Sequence, residues 1–147
     1  MPLPRQFSTP RRVIKSKAFY HVYNTLGYGF LEKVYENALA ATLRKAGFEV
    51  VQQAPVKVFF EGVLVGEYFA DLVVNSCIIL EIKAAESIHS AHEAQLVNYL
   101  KATPIEVGLL FNFGQTPEFR RKLFTNDRKP ALPAPPVIRA ADPSQSV

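Results

Sequence analysis

The stretch YFADLVVNSCIILEIKA, residues 68–84, sets three charged side chains into two otherwise apolar runs. Asp71 follows Tyr68-Phe69-Ala70 and precedes Leu72-Val73-Val74. Glu81 and Lys83 follow Ile78-Ile79-Leu80. Both runs read as strands, joined by a turn at Asn75-Ser76. Charges inside apolar strands are costly unless something compensates them. Side chains alternate along a strand, so Glu81 and Lys83 share a face. Whether Asp71 joins them depends on the turn. A two-residue loop would pair Asp71 with Leu80 and put the two acids on opposite faces. An odd loop, or one bulge, would pair it with Ile79 and bring all three charges to one face. The odd case is expected. Two neighbouring carboxylates repel each other and invite a cation, and oxygen ligands suit Mg²⁺ or Mn²⁺. The alternative for this short pattern is an ion pair at an exposed sheet edge.

Working outward, residues 12–25 read as a first helix, with Ile14, Ala18, Val22 and Leu26 on its apolar side. Gly27-Tyr28-Gly29 breaks it. A second helix runs from about Phe30 to Ala46, with Gly47 as its C-terminal cap. Glu32 heads a stripe of Tyr35, Glu36, Leu39 and Leu43 and is expected to face inward, although first-turn helix chemistry also favours an acid there. Glu36 could be exposed. Phe48–Gln53 and Val56–Phe60 look like two strands broken at Pro55, and Val63–Val74 like one long strand. Residues 89–101 form a third helix, on which His92, Gln95 and Tyr99 share a stripe. Residues 106–113 are a buried strand. Arg120-Arg121-Lys122 is a short basic segment. The order predicts an α/β or α+β domain with a mixed sheet over residues 12–125, between a disordered N-terminus (1–11) and a disordered proline-rich tail (126–147).

Composition is consistent with this. The chain has 147 residues, 48% of them hydrophobic, one cysteine and no tryptophan. A lone cysteine excludes an intrachain disulfide, and Cys77 reads as core. A net charge of +4 and a pI near 9.3 suit a polyanionic partner such as nucleic acid. No apolar run reaches signal-peptide or membrane-spanning length, so a soluble cytoplasmic protein is expected. No phosphate-binding glycine loop or nucleophile elbow is present, and His89 and His92 lack a third partner for zinc.

The run Leu26–Leu39 resembles the signature of the GxxExxY proteins, through Gly29, Glu32 and Tyr35. Tyr68–Val74, Glu81–Lys83, Ala94–Ala102 and Gly108–Gly114 extend the resemblance to roughly residues 13–125. That family is placed in the PD-(D/E)XK nuclease superfamily. The resemblance implies a restriction-endonuclease-like core of a helix, three antiparallel strands, a crossing helix and a further strand. It implies that Asp71, Glu81 and Lys83 match the core triad, and that Glu32 matches the acid of the first core helix. Gln95 and Tyr99 look like the QxxxY motif beside the active site. Ala70 stands where the pattern has proline. The expected activity is Mg²⁺- or Mn²⁺-dependent hydrolysis of phosphodiesters in DNA. Asp71, Glu81 and the Ile82 carbonyl would hold the metal, Glu32 would bind the metal or a metal-bound water, and Lys83 would activate or orient the attacking water. Arg120, Arg121 and Lys122 would contact nucleic acid. A binding module with the same fold but no catalysis is the main alternative, and an interaction protein using the tail is the third. A homodimer or a protein partner would extend the small recognition surface.

Overall fold

The computed structural model describes residues 17–129. The expected disordered N-terminus, the start of the first helix and most of the tail therefore lie outside the described residues. Helix α1 is Phe19–Leu26 and α2 is Glu32–Lys45. Strands β1 (Val50–Phe60), β2 (Val63–Val74) and β3 (Ile78–Lys83) follow. Helix α3 (Ser90–Lys101), β4 (Val107–Asn112) and β5 (Glu118–Leu123) complete the order, with a 3₁₀ turn at Asn126–Arg128. The five strands form one mixed sheet in the order β1-β2-β3-β4-β5. Strands β1, β2 and β3 are antiparallel neighbours, β4 runs parallel to β3 after the α3 crossover, and β5 returns antiparallel. Among the described residues, no helix is long and apolar enough to cross a membrane.

Two cores explain the layers. On one face, Phe19, Tyr35, Leu39 and Leu43 of α1 and α2 meet Leu72, Leu80, Ile82 and Phe111. Phe19 stacks on Phe111 with centroids 4.6 Å apart, and Tyr35 stacks on Phe113 at the same distance. On the other face, Leu96 and Leu100 of α3 cover Val73, Ile79 and Leu110. Strands β3 and β4 are buried on both faces, which is why their sequences read as continuous apolar runs. A Cβ on Gly108 would lie 2.6 Å from Leu96 Cδ1, so glycine lets α3 pack close to the sheet.

Several boundaries differ from the sequence reading. The two segments split at Pro55 are one strand, because β1 is an edge strand where a missing N–H is tolerated. The basic segment is a strand, β5, held by antiparallel pairing to β4 despite its charged sequence. Cys77 is exposed in the β2–β3 link instead of being core. Residues 126–129, read as the start of the tail, are tied to the domain: Lys129 Nζ donates to the carbonyls of Thr103 and Ile105, each at 2.7 Å.

Candidate active site

The site begins with an interruption in the sheet. Strand β2 pairs with β3 through Val74–Ile78, Val73–Ile79 and Leu72–Leu80, and the ladder stops there. Three residues, Asn75 to Cys77, link the strands, with Asn75 and Ser76 at positive φ. The loop is odd, as expected, but the register sets Asp71 level with Glu81 instead of Ile79. Where the next ladder bonds would form, side chains replace them. The Asp71 N–H donates to Glu81 Oε2 at 2.8 Å, and the Ile82 N–H donates to Asp71 Oδ2 at 2.8 Å. Each acid thus satisfies backbone exposed by the parting strands.

Strand β1 is disturbed at the same level. Gln52 pairs with Leu72 and Ala54 with Ala70, while Gln53 sits between them at φ +52°. Leu72 packs into the α1–α2 core, but Ala70 packs into the α3 core. Residues two apart on a regular strand share a face, so the chain rotates about Asp71 and aims it into the gap.

A third acid approaches from α2. Glu36 is buried, 4% exposed, and accepts from Gln52 Nε2 and Gln53 Nε2 at 2.9 Å and from Lys33 Nζ at 3.1 Å. The Gln53 amide also lies 3.4 Å from Asp71 Oδ1, so it bridges Glu36 to the acid pair. Glu36 was the ambiguous acid in the sequence, and Gln53 carried no signal there beyond a polar residue in a strand. Glu32, expected to face inward, is exposed. Its Oε2 accepts from the Ala84 N–H at 3.3 Å. The reason is its place at the first residue of α2, ahead of the turn that packs on the sheet. Among the described residues, no three His, Cys, Asp or Glu side chains gather as a ready metal centre, so Glu32 does not complete a three-carboxylate set.

Electrostatics single out the pair. Burial first, and then the Asp71 charge, push Glu81 up to about 8. Burial also raises Asp71, with the Ile82 N–H acting against it. Lys83 lies on the Glu81 face of β3 and is partly exposed. The chain after it is pinned by buried Asn112, whose amide accepts from the Ala85 N–H and donates to the Ala85 carbonyl, both at 2.9 Å. A Cβ on Gly114 would collide with that carbonyl.

Opposite, on α3, Gln95 Nε2 donates to the Tyr99 hydroxyl at 3.0 Å. Burial, then the charges of Glu81 and Asp71, push the Tyr99 hydroxyl up to about 12. His92 serves the start of α3, its Nδ1 accepting from the His89 N–H at 3.3 Å. The loop before α2 is held by Tyr35, whose hydroxyl donates to the Gly27 carbonyl at 2.6 Å and accepts from the Phe30 N–H. Arg120, Arg121 and Lys122 are not brought to this site. They lie on β5, two strands from β3. Lys122 pairs with Glu93 at 2.7 Å and Arg120 with Glu118 at 3.4 Å.

A mixed sheet covered by helices on both faces, opened by a carboxylate pair where two strands part, defines a restriction-endonuclease-like fold. The chain belongs to the PD-(D/E)XK nuclease superfamily, whose family model matches residues 11–122. Members of that superfamily are usually nucleases and typically use divalent metals. The fold is similar to that in the crystal structure of SSO0001, with a TM-score of 0.50 and 20% sequence identity over 81% of this chain. The chain spans 64% of that protein. No curated protein matches the chain.

Proposed function

We propose that the protein is a divalent-metal-dependent nuclease of the GxxExxY kind, hydrolysing phosphodiester bonds in DNA with Mg²⁺ or Mn²⁺. We assign it to a reducing cytoplasm on its single cysteine. The observation that carries the reading is the Asp71–Glu81 pair. Two carboxylates are wedged between parting strands, and burial and mutual repulsion push Glu81 up to about 8. Such a pair is stable with a proton or with a cation.

The donor set fits a hard cation. Each acid spends one oxygen on a backbone N–H, and Glu81 Oε1 has no hydrogen-bond partner among the described residues. Asp71, Glu81 and the Ile82 carbonyl would hold the ion, all oxygen donors. A bound divalent cation would polarise the phosphodiester and neutralise charge in the transition state. Lys83, on the face of Glu81, orients the attacking water or donates to a phosphate oxygen. Glu32 acts at the rim on water, since its carboxylate already turns to Ala84. Glu36 and Gln53 position Asp71, and Gln95 with Tyr99 closes the α3 side. A second copy or a partner protein would supply the recognition surface that a chain this small lacks.

The test incubates plasmid and single-stranded DNA with wild type, Asp71→Ala and Lys83→Ala, each with Mg²⁺ or Mn²⁺, beside calorimetric titration of Mn²⁺. Cleavage by wild type alone, with Mn²⁺ uptake lost in Asp71→Ala, is expected. DNA binding without cleavage or metal uptake would make the protein a binding module instead. Equal cleavage by all three would mean a contaminant.

A further inference from the structure

Beside the acids, between the outer half of the β1–β2 hairpin and α3, lies a cavity of about 550 Å³. Its walls include Val58, Phe59, Tyr68, Gln95, Asn98 and Tyr99. The volume lies within the range of small-molecule pockets. Three features give this cavity a chemistry.

Its aromatic wall is pre-set. The Tyr68 ring lies 5.9 Å from the Tyr99 ring and packs over Gly66, where an added Cβ would sit 3.2 Å from it. Tyr68 nonetheless stays 49% exposed. The hairpin register shifts between Val58 and Phe59, and such bulges re-aim side chains beside functional sites. Its polar wall is unspent. The Asn98 amide has no hydrogen-bond partner among the described residues, and Gln95 uses one donor on Tyr99. A free amide offers a donor and an acceptor side by side, the pattern on a nucleobase edge. Finally, Gln95 and Tyr99 belong both to this cavity and to the α3 side of the acid site, so an occupant here adjoins whatever is held at Asp71 and Glu81. Lys101 also lines the cavity, with its ammonium 5.5 Å from the Phe124 ring centroid.

We propose that this cavity is a base subsite: it takes one unpaired nucleobase of the strand being cut, stacked on Tyr68 and hydrogen-bonded by Asn98. The inference rests on the nuclease reading and deepens it, because stacking on Tyr68 and bonding to Asn98 need a base whose face and edge are free of its duplex neighbours. The substrate class is then single-stranded DNA, or duplex with an unpaired base at the site.

The test measures fluorescence anisotropy of the full chain in EDTA, so binding is read without turnover. The probes are a labelled single-stranded oligonucleotide, its blunt duplex, and the same single strands with abasic positions. The intact single strand is expected to bind more tightly than either of the others. Tyr68→Ala weakens single-strand binding about tenfold, Tyr68→Phe restores it, and Asn98→Ala lowers the preference for the intact strand over the abasic one. Equal binding of abasic and intact strands, or no loss in Tyr68→Ala, overturns the subsite. Cleavage by wild type with unchanged Tyr68→Ala binding would sink this inference and leave the nuclease reading. Base-dependent binding without cleavage would do the reverse.

Discussion

The sheet carries two groups of charges, and the fold treats them in opposite ways. At the β2–β3 gap, Asp71 and Glu81 are drawn inward, bonded to backbone N–H groups, and left to repel each other. At the β5 edge, Arg120, Arg121 and Lys122 are set along the margin, and two of them have acidic partners. The Lys122 bond holds the Glu93 carboxyl below its usual range, the mark of a satisfied pair. Exposed pairs of this kind contribute about 0–1 kcal/mol. A buried like-charge pair costs far more and persists only where something else uses it. The difference teaches that, in this sheet, the acids with raised ionisation and not the densest run of charge mark the chemistry.

The sharpest way to break that contrast is at Glu81. Glu81→Ala, and separately Asp71→Ala, are expected to reduce DNA cleavage at least about a thousandfold, read by initial rates on a labelled strand. Cleavage within tenfold of wild type in either variant would mean that the pair is structural. Glu81→Gln should lose the same activity while gaining stability at pH 8, since the amide carries no charge to bury.

The next effect is on stability against pH. Glu81 is raised in the folded protein to about 8 from 4.5. The folded state therefore holds a proton that the unfolded chain has released between those values. Stability is full below pH 4.5 and falls as pH rises towards 8, by an amount on the order of a few kcal/mol. Thermal melts in EDTA from pH 5 to 9 should show the decline. Mn²⁺ should reverse it at pH 8 and have little effect at pH 5, where the proton competes. A melt insensitive to both pH and Mn²⁺ would erase the difference between the two regions.

A smaller effect belongs to Glu36, which accepts from Gln52, Gln53 and Lys33. Glu36→Ala is expected to cost about 1–3 kcal/mol of stability, because it removes the buried acceptor that Gln52, Gln53 and Lys33 share. Cleavage should fall too, since Gln53 would no longer be braced against Asp71. Denaturant melts and initial rates together check this, and a variant as stable as wild type would remove Glu36 from the site.

Much of this was legible beforehand, for a physical reason. Asp71, Glu81 and Lys83 stand out because apolar strands make a charge conspicuous, and parity along a strand decides which side chains meet. The bounds of β2 follow from that pattern without adjustment. What stayed hidden depends on geometry that no period encodes. The register at Asn75–Cys77 placed Asp71 beside Glu81, two residues from the expected partner. Gln53 matters through a positive φ, which glutamine does not announce. Glu36 and Glu32 are one turn apart on α2, and only the packing of that helix settles which is buried. Strand β5 was invisible because its sequence is charged and its stability comes from β4.

The least effect is expected where the sequence looks most basic. Arg121 is exposed on β5, and its replacement by alanine should change stability by less than about 0.5 kcal/mol. Its neighbours already hold acidic partners, so their charge is partly spent, while the Arg121 charge can still meet a phosphate. If the DNA path reaches this edge, Arg121→Ala should lower the slope of log affinity against log salt by about one, uniformly across sequences. An unchanged slope would confine the path to the gap between β2, β3 and α3, which is where the buried acids, Lys83 and the Tyr68–Tyr99 wall already converge. A slope changed by two or more would mean that the edge strand carries binding by itself, and the contrast between the two regions would then be one of cutting against holding.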